Sequence, residues 1–234
     1  VLSGVEIMRF FKTSLTVLIL LISVMAISPV WAKKDLPAVN DEGMVLVEDS
    51  DLATVYADPG ADLGIYKRIL LEDATVAFRK NWQRDQNRGN SFKVRDSDML
   101  RITEDVATLF REVMTKELVD GGYVMAEEAG EDVLRVKPAI VDLNIYAPDL
   151  PTPARTESYS RSAGEMTLNL ELYDSLTGDK IVKATDRKRD YDRGYAEWRT
   201  KVSNRADAKR MIQAWAKALR STLDEARSST TSAS

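Results

Sequence analysis

The chain has 234 residues, with 37 acidic and 33 basic side chains, and it contains neither cysteine nor histidine. The missing cysteine excludes disulfides, thiol nucleophiles and a lipid-modified cysteine, and the missing histidine excludes a Ser-His-Asp triad and a conventional zinc site. With 44% hydrophobic and 30% charged residues the composition is that of an ordinary globular protein, so we expect one folded domain, with or without tails.

The N-terminus has the order of residues that is typical of a secretory signal peptide. Arg9 and Lys12 form a basic start, an apolar run covers 15–27, and small residues follow at Val30 and Ala32. The apolar run is shorter than the roughly 20 residues that a membrane-spanning helix needs. We therefore predict cleavage after Ala32. The alternative is an uncleaved N-terminal helix that anchors the domain in the inner membrane.

The predicted signal peptide takes up residues 1–32, and its signal is already complete from Met8, so residues 1–7 suggest an over-extended start. The remaining 202 residues carry 31 basic and 36 acidic side chains, a net charge of −5. A chain this acidic gains nothing from general attraction to phosphate backbones. We therefore expect an exported, periplasmic protein and exclude nucleic acid as its partner.

The first part of the exported chain, residues 33–57, is interpreted as a polar leader, although 44–47 is a short strand candidate. A single folded domain is predicted over 58–227. Within it, the apolar and partly β-branched segment 65–78 is predicted as a strand with a polar edge. The segment 81–90 is rich in Asn, Gln, Arg and Gly and is predicted as a loop.

Two amphipathic helices are predicted from apolar residues at spacings of three and four. The first is capped by one of residues 96–98 and ends at Gly121 and Gly122, which can adopt the left-handed conformation. The second begins near Asn204 and precedes a Ser/Thr-rich tail, 228–234, that we expect to be disordered. The apolar stripes consist of Ile102, Val106, Leu109, Phe110, Val113, Met114 and Leu118 in the first helix and of Ala208, Met211, Ile212, Trp215, Leu219 and Leu223 in the second.

Between the helices the apolar residues recur with period two, which is typical of strands with one wet face. Such segments cover 139–146 and 166–173, a proline-containing linker covers 148–164, and the turn residues 174–179 lead into a further strand at 180–184. We predict an α+β fold, with an antiparallel or mixed sheet of about four to six strands and two amphipathic helices packed on one face. The opposite face would carry Thr167, Asn169, Glu171 and Tyr173.

Sequence patterns for catalysis are largely missing. The eleven glycines contain neither a phosphate-binding loop nor a dinucleotide fingerprint, and the patterns Ser-x-x-Lys and Gly-x-Ser-x-Gly do not occur. Pairs of carboxylates do occur, and glycosidases need only two. These pairs are Asp49 with Asp51, Asp96 with Asp98, which is more simply a helix cap, and Asp190 with Asp192. We predict a non-enzymatic protein with no catalytic, cofactor-binding or metal-binding residues. The alternative is a carboxylate-dependent enzyme that acts on an envelope glycan.

The most distinctive local segment covers 186–201, where basic and aromatic residues interleave. Such residues can form a surface for a glycan, an anionic lipid headgroup or a protein partner. The alternative is a solvated strand end and loop, because Asp186, Asp190, Asp192 and Glu197 balance much of the local charge. The residues assigned to the possible interaction surface are Arg187, Lys188, Arg189, Tyr191, Arg193, Tyr195 and Trp198.

Several short segments carry a resemblance to a known family: Tyr66, residues 118–123, 133–136, 138–140 and 171–179, and Trp215 in the last helix. Together they resemble the proteobacterial envelope proteins grouped as domain of unknown function 3313, many of which look like lipoproteins. The resemblance spans roughly 58–226 and implies export and an envelope location, with no accepted activity. The chain lacks the usual lipobox cysteine, which disfavours a lipid anchor and favours a free periplasmic protein.

Overall fold

The structure, a computed structural model, describes residues 36–89, 93–150, 158–191, 194–195 and 197–232. The expected signal peptide lies outside the described residues. The fold is α+β, as predicted, with a mixed sheet of eight strands and two long helices. The sheet has more than the predicted four to six strands because it includes elements of only two to four residues, which are too short to show a sequence period.

The elements in chain order are β1 (Val45–Leu46), β2 (Thr54–Ala57), β3 (Arg68–Leu71), β4 (Thr75–Phe78), α1 (Trp82–Asn87), α2 (Asp96–Asp120), β5 (Val124–Met125), β6 (Val133–Ile145), β7 (Ser158–Ser160), β8 (Gly164–Asp174), β9 (Lys180–Arg189), β10 (Glu197–Arg199) and α3 (Lys201–Ser232). The strand order in the main sheet is β1-β2-β9-β8-β6-β3-β5, and β4 also pairs with β6. Strands β7 and β10 form a separate antiparallel ribbon.

The centre of the sheet consists of the antiparallel strands β6, β8 and β9. Alternate residues of β8 are buried in the core with the helices, and their side chains are 2% exposed or less. These residues are Met166, Leu168, Leu170 and Leu172. The intervening residues face the other side of the sheet, here called the open face, as the period of two predicts.

Strands β3 and β4 run parallel to β6 along the same edge, although the sequence predicted one strand over 65–78. The N–H of Glu72 donates to the carbonyl oxygen of Val136 at 2.9 Å. The even-numbered residues in the first half of β6 therefore direct their N–H and C=O groups to this edge. Pro138 falls on the same side and has no N–H to donate. The interruption between β3 and β4 lies opposite this proline, which accounts for two strands in place of one.

The first two strands, β1 and β2, lie within the segment 33–57 that was predicted as a leader outside the folded domain. Strand β2 pairs with β9 from Thr54 opposite Thr185 to Ala57 opposite Val182. The Glu42 carboxylate lies 3.1 Å and 2.8 Å from the amino groups of Lys180 and Lys183. Part of the segment 33–57 therefore belongs to the folded domain, whose first strands precede residue 58.

Helix α1 lies in the segment that was predicted as a loop. Its first residue, Trp82, is 1% exposed and stacks on Phe78 with ring centroids 4.2 Å apart. The indole N–H of Trp82 also donates to the carbonyl oxygen of Ile145 at 3.0 Å. These tertiary contacts, and not the polar sequence of the helix, hold such a short element in place.

Helices α2 and α3 carry the predicted apolar stripes, which are largely buried against the sheet. They run in the same direction, because Lys201 at the start of α3 contacts Asp105 and Arg220, farther along α3, contacts Glu117. Their N-terminal turns are thus at the same end of the sheet.

Helix α3 also continues beyond residue 228, where the sequence predicted a disordered tail. Near its end it packs on the 3-10 turn Leu63–Ile65 so closely that a Cβ atom at Gly64 would lie 2.8 Å from the carbonyl oxygen of Ala226.

Candidate functional site

The residues of the possible interaction surface on β9 do not all share one face of the sheet. Arg187 and Arg189 lie on the open face, where both approach Glu165. Lys188 points to the helix side, and its Nζ atom lies 3.1 Å from Oδ2 of Asp186. The period of two along the strand separates the three adjacent cations, so Lys188 does not belong to the same surface.

Glu165 on β8 supplies the carboxylate that holds the two arginines. Its Oε2 atom lies 2.7 Å from Nη2 of Arg187 and 3.6 Å from Nε of Arg189, and Oε1 accepts a hydrogen bond from Asn144 at 3.1 Å. Burial by itself would raise the pKa of the Glu165 carboxyl, but the bond from Asn144 and the two guanidinium groups outweigh it and lower that pKa. Glu165 is therefore an ionised, fixed acceptor.

The carboxylate and the two guanidinium groups differ in their exposure to solvent. The Glu165 side chain is 12% exposed, whereas those of Arg187 and Arg189 are 65% and 66% exposed. Both guanidinium groups that contact Glu165 are thus largely open to solvent. Guanidinium groups in this state can form paired hydrogen bonds to carboxylate or phosphate oxygens of a ligand.

Tyr146, which directly follows β6, adds an aromatic ring that sequence reasoning did not assign to the surface. Its hydroxyl accepts a hydrogen bond from Nη2 of Arg189 at 2.7 Å, and the guanidinium carbon of Arg189 lies 5.7 Å from the ring centroid. The alternating pattern of β6 includes Tyr146, but the register between β6, β8 and β9 is what brings it beside Arg189. That register is not visible in the sequence.

The remaining aromatic residues of the predicted surface follow β9. Tyr191 is 86% exposed and Tyr195 is 62% exposed. Arg193 and the side chain of Trp198 lie outside the described residues, and the backbone of residue 198 pairs with Tyr159 in the ribbon of β7 and β10. The name basic–aromatic surface is used below for five residues: Tyr146, Arg187, Arg189, Tyr191 and Tyr195.

A buried group of charges includes Asp190, the residue that directly follows β9 and precedes Tyr191. The Arg199 side chain is 0% exposed, and its Nη1 atom lies 2.5 Å from Oδ2 of Asp207. Its Nη2 atom is 3.7 Å from Oδ2 of Asp190. Arg210 reaches both carboxylates from the surface, at 3.1 Å to Asp190 and in a close contact with Asp207.

Asp190 is held by its backbone as well as by its side chain. Its N–H donates to the carbonyl oxygen of Gly164 at 2.9 Å, and its own carbonyl accepts from the Ser162 hydroxyl at 2.9 Å. Its carboxylate accepts from the N–H of Ala163 at 2.9 Å. The residue before Tyr191 is thus fixed, which gives the exposed ring a rigid base.

Three carboxylates of the pairs have structural partners: Asp96, Asp98 and Asp190. Asp98 accepts from the N–H of Arg95 at 3.1 Å and caps α2, as predicted, and Asp96 accepts from Gln83 at 2.8 Å. Asp190 belongs to the buried charge group, and its neighbour at 192 lies outside the described residues. Among the residues that the structure describes, no group of three or more candidate metal ligands occurs.

A cleft lies on the helix side of the same end of the sheet, between the N-terminal halves of α2 and α3. Its volume is about 100 Å³. The sequence did not predict it, because its walls are ordinary core positions of four separate elements. The apolar lining includes Ile102, Val106, Leu109, Leu143, Met166, Ala208 and Met211.

Comparison with known proteins gives one family match. The model of the family described as "Protein of unknown function (DUF3313)" matches residues 39–219. Among curated proteins, none matches the chain. Within the described part of the chain, no helix has both the length and the apolar character that crossing a membrane requires.

Solved structures show only a distant likeness. A PelC dodecamer from Paraburkholderia phytofirmans has 11% identity and a TM-score of 0.34, with 71% of this chain and 96% of that chain covered. A minor lipoprotein from Acinetobacter baumannii has 13% identity and a TM-score of 0.32, with 68% and 95% covered. A DUF330 protein from Xanthomonas campestris has 13% identity and a TM-score of 0.38, with 75% and 93% covered. At these scores the likeness supports no conclusion about function or assembly.

Proposed function

Since this chain belongs to the DUF3313 family, whose members are proteins of unknown function, we propose that it is an exported, non-enzymatic accessory protein of the bacterial cell envelope. It works in the periplasm without a lipid anchor. Its basic–aromatic surface binds an anionic envelope component, through the carboxylate or phosphate groups of a glycan or a lipid.

The observation that carries the binding proposal is the arrangement of Arg187 and Arg189 around Glu165. A guanidinium that is about two-thirds exposed and oriented by a buried carboxylate is positioned before a ligand arrives. The exposed rings of Tyr191 and Tyr195 are suited to stacking on the apolar faces of sugar rings. Because the chain as a whole has a net charge of −4, two largely exposed arginines on one face of the sheet are also a means of selecting partners.

The non-enzymatic part of the proposal is supported by the lowered pKa values of two carboxyl groups, those of Glu165 and Glu171. A general acid needs a raised pKa, and the pKa of the Glu165 carboxyl beside the exposed arginines is lowered. The pKa of the Glu171 carboxyl on the same open face is also lowered: burial would raise it, but hydrogen bonds from Lys180 and Tyr173 outweigh burial.

The binding proposal is tested by measuring the affinity of the purified protein for lipopolysaccharide, for phosphatidylglycerol vesicles and for peptidoglycan, with phosphatidylcholine vesicles as the neutral reference. We expect one anionic component to bind, and the affinity to fall with added salt. Arg187→Gln and Arg189→Gln should each weaken binding by about 5- to 10-fold, since each removes a charge-assisted hydrogen bond.

Lys188→Gln is the matched control, because it makes the same change in charge on the same strand but on the opposite face. It should change the affinity less than about twofold, as expected for a residue outside the contact. Equal losses for all three variants, or no binding to any anionic component, would contradict the proposal. Release of peptidoglycan fragments that stops on substitution of one Asp or Glu would contradict the non-enzymatic part.

The location is tested separately, by N-terminal sequencing of the protein recovered from the periplasmic and the membrane fractions. A chain that starts at Lys33 supports cleavage of the signal peptide and release. A chain that keeps the apolar run 15–27 and stays in the membrane fraction supports the uncleaved anchor instead.

A further inference from the structure

Two lysines near the start of β9 form a second cationic group on the open face. Lys183 lies opposite Glu171 of β8, which belongs to that face, and residues directly opposite each other in a sheet share a face. Lys180 reaches the same Glu171, with Nζ 2.8 Å from Oε1. These two lysines, called the lysine pair below, therefore lie on the same face of β9 as Arg187 and Arg189.

The lysine pair holds a carboxylate that does not come from the sheet. Nζ of Lys183 donates to Oε1 of Glu42 at 2.8 Å, and Nζ of Lys180 donates to Oε2 of Glu42 at 3.1 Å. The hydrogen bonds from Lys183 and Lys180 lower the pKa of the Glu42 carboxyl, so this group is ionised. The structure thus contains one example of a carboxylate that binds to the lysine pair from the solvent side of the sheet.

Glu42 can leave the lysine pair without unfolding of its own turn. The N–H of Gly43 donates to the carbonyl oxygen of Asn40 at 3.0 Å, and the Asn40 side chain accepts from the N–H groups of Glu42 and Met44 at 3.0 Å and 2.9 Å. The Glu42 side chain itself is 40% exposed, so rotation about its bonds moves the carboxylate into solvent. Because an exposed ion pair contributes little to stability, a carboxylate of a ligand can replace it.

A neutral polar strip connects the lysine pair with the arginines. Lys183 and Arg187 are four residues apart on β9, which corresponds to about 13 Å. Between them Thr185 donates from its hydroxyl to Oδ1 of Asn169 at 2.9 Å, and Thr167 lies opposite Arg187. Hydroxyl and amide groups both donate and accept hydrogen bonds, as the hydroxyl groups of a sugar do.

This arrangement distinguishes between the possible anionic ligands. A molecule that contacts both cationic groups needs at least two anionic groups, with neutral hydrogen-bonding units over the roughly 13 Å between them. A polysaccharide that contains uronic acids has this composition. A single lipid headgroup reaches only one of the cationic groups, and the neutral strip adds no attraction for the charge of a bilayer surface.

We propose that the open face binds a linear acidic polysaccharide along β9. One of its carboxylates binds at Arg187 and Arg189, another binds at the lysine pair, and the sugar hydroxyls between them contact the neutral strip. Glu42 is an internal competitor that occupies the lysine pair until the polymer displaces it. This inference rests on the proposed function, because it extends the surface of Arg187 and Arg189 and names the class of its ligand.

The test measures the affinity of the purified protein for sodium polygalacturonate by calorimetry. Monomeric galacturonate, neutral dextran and phosphatidylglycerol vesicles are titrated in parallel. We expect polygalacturonate to bind at least about 10-fold more tightly per sugar unit than the monomer, since it engages two cationic groups at once. Dextran, which has hydroxyl groups but no charge, should not bind measurably.

A variant of the lysine pair tests whether the polymer reaches this part of the face. Lys183→Gln should weaken the binding of polygalacturonate by about 3- to 10-fold, because it removes one charge-assisted contact. Lys116→Gln is the matched control, at a side chain that is 73% exposed on α2. It makes the same change in charge away from the sheet and should alter the affinity less than about twofold.

A variant of Glu42 tests the competition. Glu42→Gln should strengthen the binding of polygalacturonate by about 3- to 5-fold, because the lysine pair is then available to the ligand for more of the time. Asp41→Asn makes the same change in charge at the exposed neighbouring position and should strengthen binding less than about 1.5-fold. In the unaltered protein the ¹⁵N amide signal of Gly43 should shift as the polymer displaces Glu42. The urea midpoint of each variant verifies that it is folded.

Several results would overturn this inference and leave the proposed function in place. These are binding of phosphatidylglycerol vesicles without binding of polygalacturonate, monomer and polymer of equal affinity, and a folded Lys183→Gln protein that binds the polymer as tightly as the unaltered protein. Equal effects of Glu42→Gln and Asp41→Asn would show that Glu42 is not a competitor. If Arg187→Gln and Arg189→Gln also leave the binding of every anionic probe unchanged, the proposed function fails together with the inference.

Discussion

The guanidinium group of Arg199 is enclosed by the carboxylates of Asp190 and Asp207, and its side chain is 0% exposed. Two buried carboxylates and one buried cation would carry a net negative charge, and the half-exposed Arg210 restores the balance from outside. The arrangement joins the end of β9, the strand β10 and the first turns of α3. Tyr191 directly follows Asp190, and Tyr195 precedes β10, whose last residue is Arg199, so the group lies near both exposed rings in the chain.

We predict that Arg199→Met lowers the free energy of unfolding by about 3–5 kcal/mol, because it leaves two buried carboxylates without their central partner. Urea denaturation measures the change. The comparison variant is Arg210→Met, whose side chain is 51% exposed and which should cost about 1 kcal/mol or less. A loss below about 1 kcal/mol for Arg199→Met would mean that the buried pairs are not essential.

At the scale of elements, the pairing of β6 with β8 is interrupted by a β-bulge at Asp142. Asp142 has φ of 53°, and the register shifts between Val141 and Asn144. Such a bulge changes which residues face the core on either side of it. On the opposite strand, Gly164 lies so close that a Cβ atom there would be 2.0 Å from the carbonyl oxygen of Asn144.

Gly164→Ala is therefore predicted to lower the free energy of unfolding by about 2–4 kcal/mol, because the added carbon meets backbone atoms that cannot move aside. Gly178→Ala is the matched control. Gly178 has φ of 76° with nothing within 4 Å of the added atom, so only the backbone term of about 1 kcal/mol applies. Thermal and urea denaturation of both variants give the comparison, and equal costs would contradict the role of the close approach.

The elements also show how far sequence reasoning reached. The stripes from Ile102 to Leu118 and from Ala208 to Leu223 fixed both long helices, because a period of three to four is a strong signal over many turns. Helix α1 and strand β2 were missed, since six and four residues carry no periodic signal and tertiary contacts stabilise them. The bulge at Asp142 was missed because a local shift in register also carries no periodic signal.

The candidate site was predicted only in part. The sequence groups Arg187, Lys188 and Arg189 in one basic segment, and the opposite orientation of Lys188 becomes visible only when the faces of β9 are known. Tyr146 and Glu165 come from strands that are remote in sequence, and only the register brings them together. The surface itself remains a prediction about binding, which the affinity measurements decide.

At the scale of the whole molecule, the N-terminal strands complete one side of the sheet. Tyr56 on β2 is 8% exposed, and its hydroxyl donates to the carbonyl oxygen of Pro37. The N–H of Ala53 donates to Asp186, the same carboxylate that accepts from the indole of Trp215 at 2.7 Å. The N-terminal segment therefore reaches the core through Asp186.

We predict that a chain beginning at residue 58 is less stable than a chain beginning at residue 36, and that it self-associates. The deletion exposes the edge of β9, which then offers unpaired backbone groups to other molecules. Urea denaturation and sedimentation measure the two effects. The same unfolding midpoint and the same monomeric behaviour for both chains would show that residues 36–57 contribute nothing to the fold.

The pairing of β2 with β9 also constrains the order of folding. The bond from Ala53 to Asp186 joins residues that are 133 positions apart in the chain. The first strands synthesised must therefore wait until β9 exists, and closing so long a loop adds an entropic barrier. Until β9 is made, β2 can pair only with β1, and its other edge is open to chaperones and to proteolysis.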